Sequence, residues 1–501
     1  MAFRSAKHFQ TLILGATFLV ALSSSALPDS AQTVSVRKEW SELSTTEKNA
    51  YRRGVQQMMD WDTSTDPKNY ARSWKFWQNI HLHFGDDCAG PVPQIRGMQG
   101  QVAVTAKTPD EKLTWCTCEH GTYGFLLWHR MYLYYFEQVI RAASGDEKLT
   151  LPYWDYTHSP TIPQEFRDKT YVDDHGATKP NPLYVGDTQR RPVLAAGGRM
   201  SPTTVSPAAA FQQTVYFDGN YGFNPALEQV PHGSVHCAIG VAGCPTGIMG
   251  SVPIAAGDPI FYLHHAVLDK LYDCWLAPAP TSRLPNDPNW LNKRYNFPDG
   301  TGKVVTRVVR DMLTSAQLHV RYSLPEECPS APRVAALGGR VLAASITKTY
   351  PVGGPGRMDT STAESLTLPP AAERAVRRTP LLAAKLHSEL IRIHGIKYDA
   401  APGVSYKVYL TMGSKRVFVQ TIDFFTIGSQ HKGMPNMGRD IVLDVTDALN
   451  TLGAGGAALN SLKVTFEPTT GVDKETKADI AKSTTPNANV RYDGIDLLSR
   501  Q

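Results

Sequence analysis

The sequence predicts a mainly α domain followed by an antiparallel β-sandwich, and three features of it carry that expectation. Amphipathic stretches of helical length, such as 47–59 and 125–143, fill residues 39–277. Around residues 329–380 the composition shifts to Pro, Gly, Ala and Thr, as in an exposed connection. Beyond it the period changes to two: Val404, Tyr406, Val408 and Leu410 alternate with Ser405, Lys407, Tyr409 and Thr411, the mark of half-buried strands.

The chain has 501 residues, room for about two or three domains and at least one sizeable core. With 42% hydrophobic and 19% charged residues it lies far from disordered and collagen-like compositions. The net charge of +5 comes without a basic block in the main body, so no nucleic-acid or acidic-membrane partner is expected.

At the N-terminus, Arg4 and Lys7 precede an apolar run over 12–22 and then Ser23, Ser24, Ser25 and Ala26, the order of a secretory signal, assigned to residues 1–31. The run is short of the roughly 20 residues that span a bilayer, so a secreted or periplasmic protein without a membrane anchor is expected. Cysteines normally pair in such compartments, yet there are seven. One is expected to do something else.

Within the α domain, taken as 32–328, residues 159–225 are rich in Pro and read as an irregular excursion, and 277–327 look similar. A linker is expected over 329–382, with the protease-prone basic run 374–378. Short alternating runs at 404–411, 417–422, 441–445 and 462–466 place the sandwich at 383–472, followed by a polar, partly disordered tail over 473–501. No internal repeat is present.

The histidines carry the chemistry. His232 and His236 are four apart, so both imidazoles share one face of a helix and form a chelating pair. A zinc-protease motif would need Glu directly after the first His, and Gly233 stands there. Asp258-Pro259 can start a helix that ends its first turns on His264-His265, a source for a third ligand. His120 and His129 are nine apart, about two and a half turns, so they converge only if His120 sits in the loop before the helix and His129 on its first turns. With His81 or His83 this makes a second triad. Two imidazole triads suit copper and leave positions open for dioxygen, although zinc accepts the same ligands.

Trp128-His129-Arg130-Met131-Tyr132-Leu133, Phe136-Glu137, Leu151-Pro152-Tyr153-Trp154-Asp155, His232-x-x-x-His236 and Asp258-Pro259-Ile260-Phe261-Tyr262-Leu263-His264-His265-x-x-x-Asp269 together resemble the tyrosinase, catechol oxidase and haemocyanin family of coupled dicopper proteins. The resemblance covers roughly residues 40–277. It implies a helical bundle holding two copper ions, CuA through His81, His120 and His129 and CuB through His232, His236 and His265, with Phe261 and Asp269 one turn on either side of His265. By it His81 is preferred to His83, and His264 is a packed neighbour. It implies a thioether between Cys118 and the imidazole carbon of His120, which would use the odd cysteine. Cys88 with Cys116, Cys237 with Cys244 and Cys274 with Cys328 is then one possible disulfide set, its rival being Cys118 paired with Cys88 or Cys116.

The resemblance also implies a function: dioxygen as co-substrate and a small phenol oxidised at the copper pair. Glu228 fits the acidic residue that would hold a basic water for monophenol deprotonation, but Gly233 stands where a second water-holding side chain is expected and can orient nothing. Diphenol oxidation with weak or absent monophenol hydroxylation is therefore expected. Val252 fits a small residue overhanging CuA that admits a ring. The sandwich resembles the domain that caps the copper site in latent relatives, so an activating protease cutting near 374–378 is expected, with an apolar plug from 424–437. Arg130, Glu137, Asp155 and Asp269 lie in apolar runs and read as buried charge partners. The alternatives are a haemocyanin-like oxygen carrier and, more weakly, a zinc hydrolase.

Overall fold

The computed structural model describes residues 34–279, 283–323, 328–329, 346–359, 363–370, 389–427, 440–453 and 461–500. The secretory signal, the basic run 374–378 and positions 428–437 of the expected plug region lie outside them.

Five helices position the site. Helix α1 (Thr45–Asp60) starts at Ser44, whose hydroxyl accepts from Glu47 N while the Glu47 carboxylate accepts from Ser44 N, a reciprocal cap. Helix α2 (Trp74–His81) is capped by Ser73 and stops because Leu82 is extended. The long α3 (Phe125–Ser144) buries Trp128, Met131, Tyr132, Leu133, Phe136, Val139 and Ile140. Helix α4 (Ser234–Ile239) is short. Helix α5 (Ile260–Leu276) begins after Pro259, with Asp258 accepting from Ile260 N at 3.1 Å. Helices α1 and α3 approach so closely at Gly54 that a Cβ there would meet Ile140 Cγ1 at 2.6 Å.

Inside this bundle the expected charge partners are buried and paired. Arg37 Nε donates to Glu137 at 2.8 Å, Arg130 Nε to Asp269 at 2.6 Å, and Lys270 Nζ to Asp155 at 3.0 Å. Arg37 also reaches Asp269 at 3.3 Å, so one carboxylate on α5 serves two guanidinium groups and ties α5 to α3 and the N-terminal strand Ser35–Arg37.

The C-terminal strands are β1 (Ile346–Gly353), β2 (Glu364–Ser365), β3 (Glu389–His394), β4 (Ser405–Met412), β5 (Lys415–Ile422), β6 (Ile441–Asp444), β7 (Lys463–Thr469) and β8 (Gly494–Arg500). They form two four-stranded sheets, in the orders β6-β3-β8-β1 and β5-β4-β7-β2, with every pairing antiparallel. Val408, Leu410, Ile422, Leu443, Val464, Phe466, Ile495 and Leu497 share a core distinct from that of the bundle.

The boundaries differ from the sequence expectation. The sandwich draws strands β1 and β2 from the expected linker 329–382 and β8 from the expected tail 473–501, so it extends from 346 to 500. Strand β8 lacks alternation for a physical reason: Ile495 and Leu497 enter the sandwich core, while Leu498 packs with Leu390 and Tyr221 on the opposite face. Residues 277–327, expected to be irregular, contain the hairpin Arg294–Pro298 with Val304–Val308.

The sandwich rests on the bundle through specific contacts. Ser201 N and Thr204 Oγ1 both donate to Gly471 O, at 2.8 and 2.9 Å. Arg191 reaches Ser483 Oγ at 3.0 Å, and Asp473 N donates to Arg199 O at 2.9 Å.

Candidate metal centre

Local chain signals bring the first group together. His81 is the last residue of α2, His120 lies in the loop before α3, and His129 is on the second turn of α3. The loop is fixed against α2 by Cys116 N and Thr117 N, which donate to the carbonyls of Asn79 and Ile80 at 3.0 and 3.2 Å. Ring centroids are 5.2 Å apart for His81 and His120, 5.4 Å for His120 and His129, and 5.7 Å for His81 and His129. His83 points elsewhere, against Trp115 at 5.5 Å with Nδ1 facing Phe84 O.

The second group comes from α4, α5 and the turn before α4. Residues Glu228–Gly233 are π-helical rather than α-helical, with Val230 extended, yet His232 and His236 still share one face with ring centroids 4.8 Å apart. His265 lies 5.1 Å from His232 and 5.8 Å from His236. His264, expected only to pack nearby, comes within 4.7 Å of His236 and belongs to the same cluster of potential ligand atoms. Each cluster, one of His81, Cys118, His120 and His129 and one of His232, His236, His264 and His265, has its ligand atoms within 4.8 Å of one another.

The two groups face each other. The His129 and His265 rings stack at 4.2 Å and 10°. His129 Nδ1 lies 2.8 Å from Phe125 O, His232 Nδ1 3.0 Å from Glu228 O and His236 Nδ1 2.7 Å from Met249 O. A carbonyl partner requires the Nδ1–H tautomer and leaves Nε2 as a lone-pair donor. The Nε2 atoms of His232 and His236 are buried without a hydrogen-bond partner, as a metal-binding donor set requires. Burial pushes His129 down to about 3 and holds His232, His236 and His265 well below the usual imidazole range, so all four stay neutral near neutral pH.

Phe261 lies 4.2 Å from His265, 5.0 Å from His81 and 5.9 Å from His236, a wall shared by both groups. Phe125 plays the same part and was missed in the sequence. It lies 4.8 Å from His129 and 4.7 Å from His232. Its signal was present, because Phe125 precedes His129 by four residues as Phe261 precedes His265.

Cys88–Cys116, Cys237–Cys244 and Cys274–Cys328 are disulfide-bonded, and Cys118 is free and buried. Its Sγ is 3.5 Å from His120 Nδ1, 3.9 Å from His120 Nε2 and 3.5 Å from His129 Nε2. Val252 is buried at the start of the 3-10 turn Val252–Gly257. Glu228 is buried and accepts from Gly121 N at 2.7 Å; burial pushes its carboxyl up to about 8, with Asp423 and Glu119 adding to the rise.

The sandwich closes the site. Phe425, just beyond β5, stacks on His236 at 3.9 Å and 7° and stands 5.3 Å from His232 and 6.1 Å from His120. Asp423 fills the space beside Gly233.

A helical bundle with two facing histidine clusters and a C-terminal sandwich over them is the arrangement of a dinuclear metal centre, and the relatives of this chain make it that of a copper-dependent oxidoreductase. The description "Common central domain of tyrosinase" matches residues 71–208 and 199–278. Tyrosinase HcTyr1 of Hahella sp. (strain CCB-MM4) is 28% identical over 454 residues, 80% of this chain and 88% of that one. Catechol oxidase B of Solanum tuberosum is 24% identical over 349 residues, and the match spans 64% of this chain and 57% of that protein. The latent apple tyrosinase structure superposes with a TM-score of 0.60 at 18% identity, covering 94% of this chain and 98% of that one, which shows the shared fold of bundle and sandwich. By these matches the chain is similar to the tyrosinase and catechol oxidase (polyphenol oxidase) family of type 3 dicopper proteins over its bundle. Among the described residues no helix is long and apolar enough to cross a membrane.

Proposed function

We propose that the chain is a secreted or periplasmic, latent polyphenol oxidase that converts o-diphenols to o-quinones, with little hydroxylation of monophenols. His81, His120 and His129 would hold CuA, and His232, His236 and His265 would hold CuB. The observation that carries the reading is Phe425 of the sandwich stacked on His236, which puts an aromatic ring on the histidine cluster where a phenol would approach. When bound, the copper pair supplies electron transfer from the phenol to dioxygen; overall, two o-diphenols and one dioxygen give two o-quinones and two waters.

The chain's own residues orient and exclude. Phe261 and Phe125 wall the clusters with apolar rings and keep water off the imidazoles. Val252 in its 3-10 turn would leave room for a substrate ring beside CuA. Gly233 supports the preference for diphenols, because it offers no side chain beside Glu228 to hold a water that takes a phenolic proton. The closeness of Cys118 Sγ to the His120 ring supports a thioether between them, a two-electron oxidation that would remove the thiol hydrogen and one ring C–H hydrogen, with dioxygen as the oxidant. An activating protease would act by freeing the bundle of the sandwich.

Dioxygen uptake by the copper-loaded full chain and its Phe425→Ala variant, with a simple catechol and the matching monophenol, tests the reading. Uptake by the variant with catechol and little with monophenol is expected. Reversible oxygenation without turnover of either phenol would replace the enzyme with a carrier.

A further inference from the structure

We infer that Asp423 is a positioning residue that locks the plug: it seats the sandwich loop in a notch left by the missing side chain of Gly233 and holds Phe425 over His236. The inference rests on the latency reading above.

Gly233 has helical dihedrals, φ −63° and ψ −38°, which any residue adopts, so its backbone conformation does not call for glycine. Glycine at such a position costs about 1 kcal/mol relative to alanine. Its use is space. A Cβ at 233 would lie 2.3 Å from Asp423 Oδ1 and 2.6 Å from its Cγ, so any larger residue would expel the carboxyl.

Asp423 is 2% exposed, and its carboxyl joins the two domains. Oδ2 accepts from Gln229 Nε2 of the bundle at 2.5 Å, and Oδ1 accepts from Phe425 N at 3.0 Å. The first bond fixes the loop to the turn that carries His232, and the second fixes the backbone from which the plug ring projects. Two such bonds across a buried contact set where Phe425 lands, because a free carboxyl there would be left unsatisfied if the loop shifted. Gly233 therefore has a structural reason beyond the lost water-holding side chain: it is the socket for the sandwich.

The test uses the copper-loaded full chain, reading catechol oxidation and, in parallel, hydrogen exchange of residues 422–427. Asp423→Ala should raise full-chain oxidation about tenfold or more and speed exchange over 422–427, with strands β4, β7 and β8 still protected. Asp423→Asn, which keeps an acceptor for Phe425 N and an amide that can pair with Gln229, should stay near the parent. Gln229→Ala should move both readouts in the same direction as Asp423→Ala. If Phe425→Ala activates while Asp423→Ala and Gln229→Ala do not, the lock is wrong and latency stands. If Phe425→Ala does not activate either, the latency reading itself fails. Loss of protection across the whole sandwich in Asp423→Ala would also overturn the lock, since a positioning residue acts locally.

Discussion

The Phe425 ring lies parallel to the His236 ring at 3.9 Å, so a side chain from the β-sandwich is part of the wall around a histidine of the helical bundle. The stacked pair contributes about 1 kcal/mol and burial of the ring about 2 kcal/mol. Phe425→Ala should therefore raise the open fraction of the full chain on the order of 100-fold. Initial rates of catechol oxidation, full chain against variant, measure it.

The closure should weaken as pH rises. Burial pushes the Asp423 carboxyl from 3.8 up to about 7 in the docked state, so the docked form holds more protons than the undocked one between those values. The contribution is fully present below about pH 4 and is lost as pH rises through about 7. Glu228, raised to about 8 beside Asp423, extends the loss in the same direction. Hydrogen exchange over 422–427 should accelerate from pH 4 to 8 beyond its intrinsic trend, and less so in Asp423→Asn.

A single cut between residues 371 and 388 should leave the protein in one piece under native conditions. Strands β1 and β2 precede that segment, and they pair with β8 and β7, which follow it. The expected protease site therefore lies within the sequence of the sandwich, and nicking it severs no sheet. Native size-exclusion of the nicked chain should give one peak that resolves into two fragments only in denaturant. A cut between 330 and 345 precedes all eight strands and is the one expected to separate the domains.

Copper stoichiometry tests the ligand sets. The parent should bind two copper ions, His81→Ala and His265→Ala one each, and His83→Ala two. His264→Ala is the informative variant, because His264 lies within the second cluster although the family resemblance makes His265 the ligand. Retention of two coppers by His264→Ala and loss of one by His265→Ala supports the assignment.

Asp269→Ala should destabilise the bundle by about 3–5 kcal/mol, the cost of breaking a buried ion pair on one side. It strips Arg37 and Arg130 of a shared carboxylate at once. A fall in thermal midpoint with copper stoichiometry retained at low temperature is the expected result.

Much of the centre was legible because its signals are local. A four-residue spacing puts His232 and His236 on one face, and Cys118 with Gly121 marks the loop that lets His120 and His129 converge. The strands at 405–412 and 441–444 were legible because each has one buried and one half-exposed face. Strand β8 was not, because it is covered on both faces and its alternation is erased.

By itself the sequence determined which residues could meet: His232 and His236 at helical spacing, His120 and His129 if a loop precedes the helix, and an odd number of cysteines that leaves one unpaired. These follow from the fixed rise and period of helices and strands. Tertiary structure alone decided what lies across the site. Gly233 and Asp423 are 190 residues apart, and nothing in the spacing of either says that one is the socket of the other. That contact exists because two independently packed cores dock, and docking is set by the shapes of whole surfaces rather than by the period of any one segment.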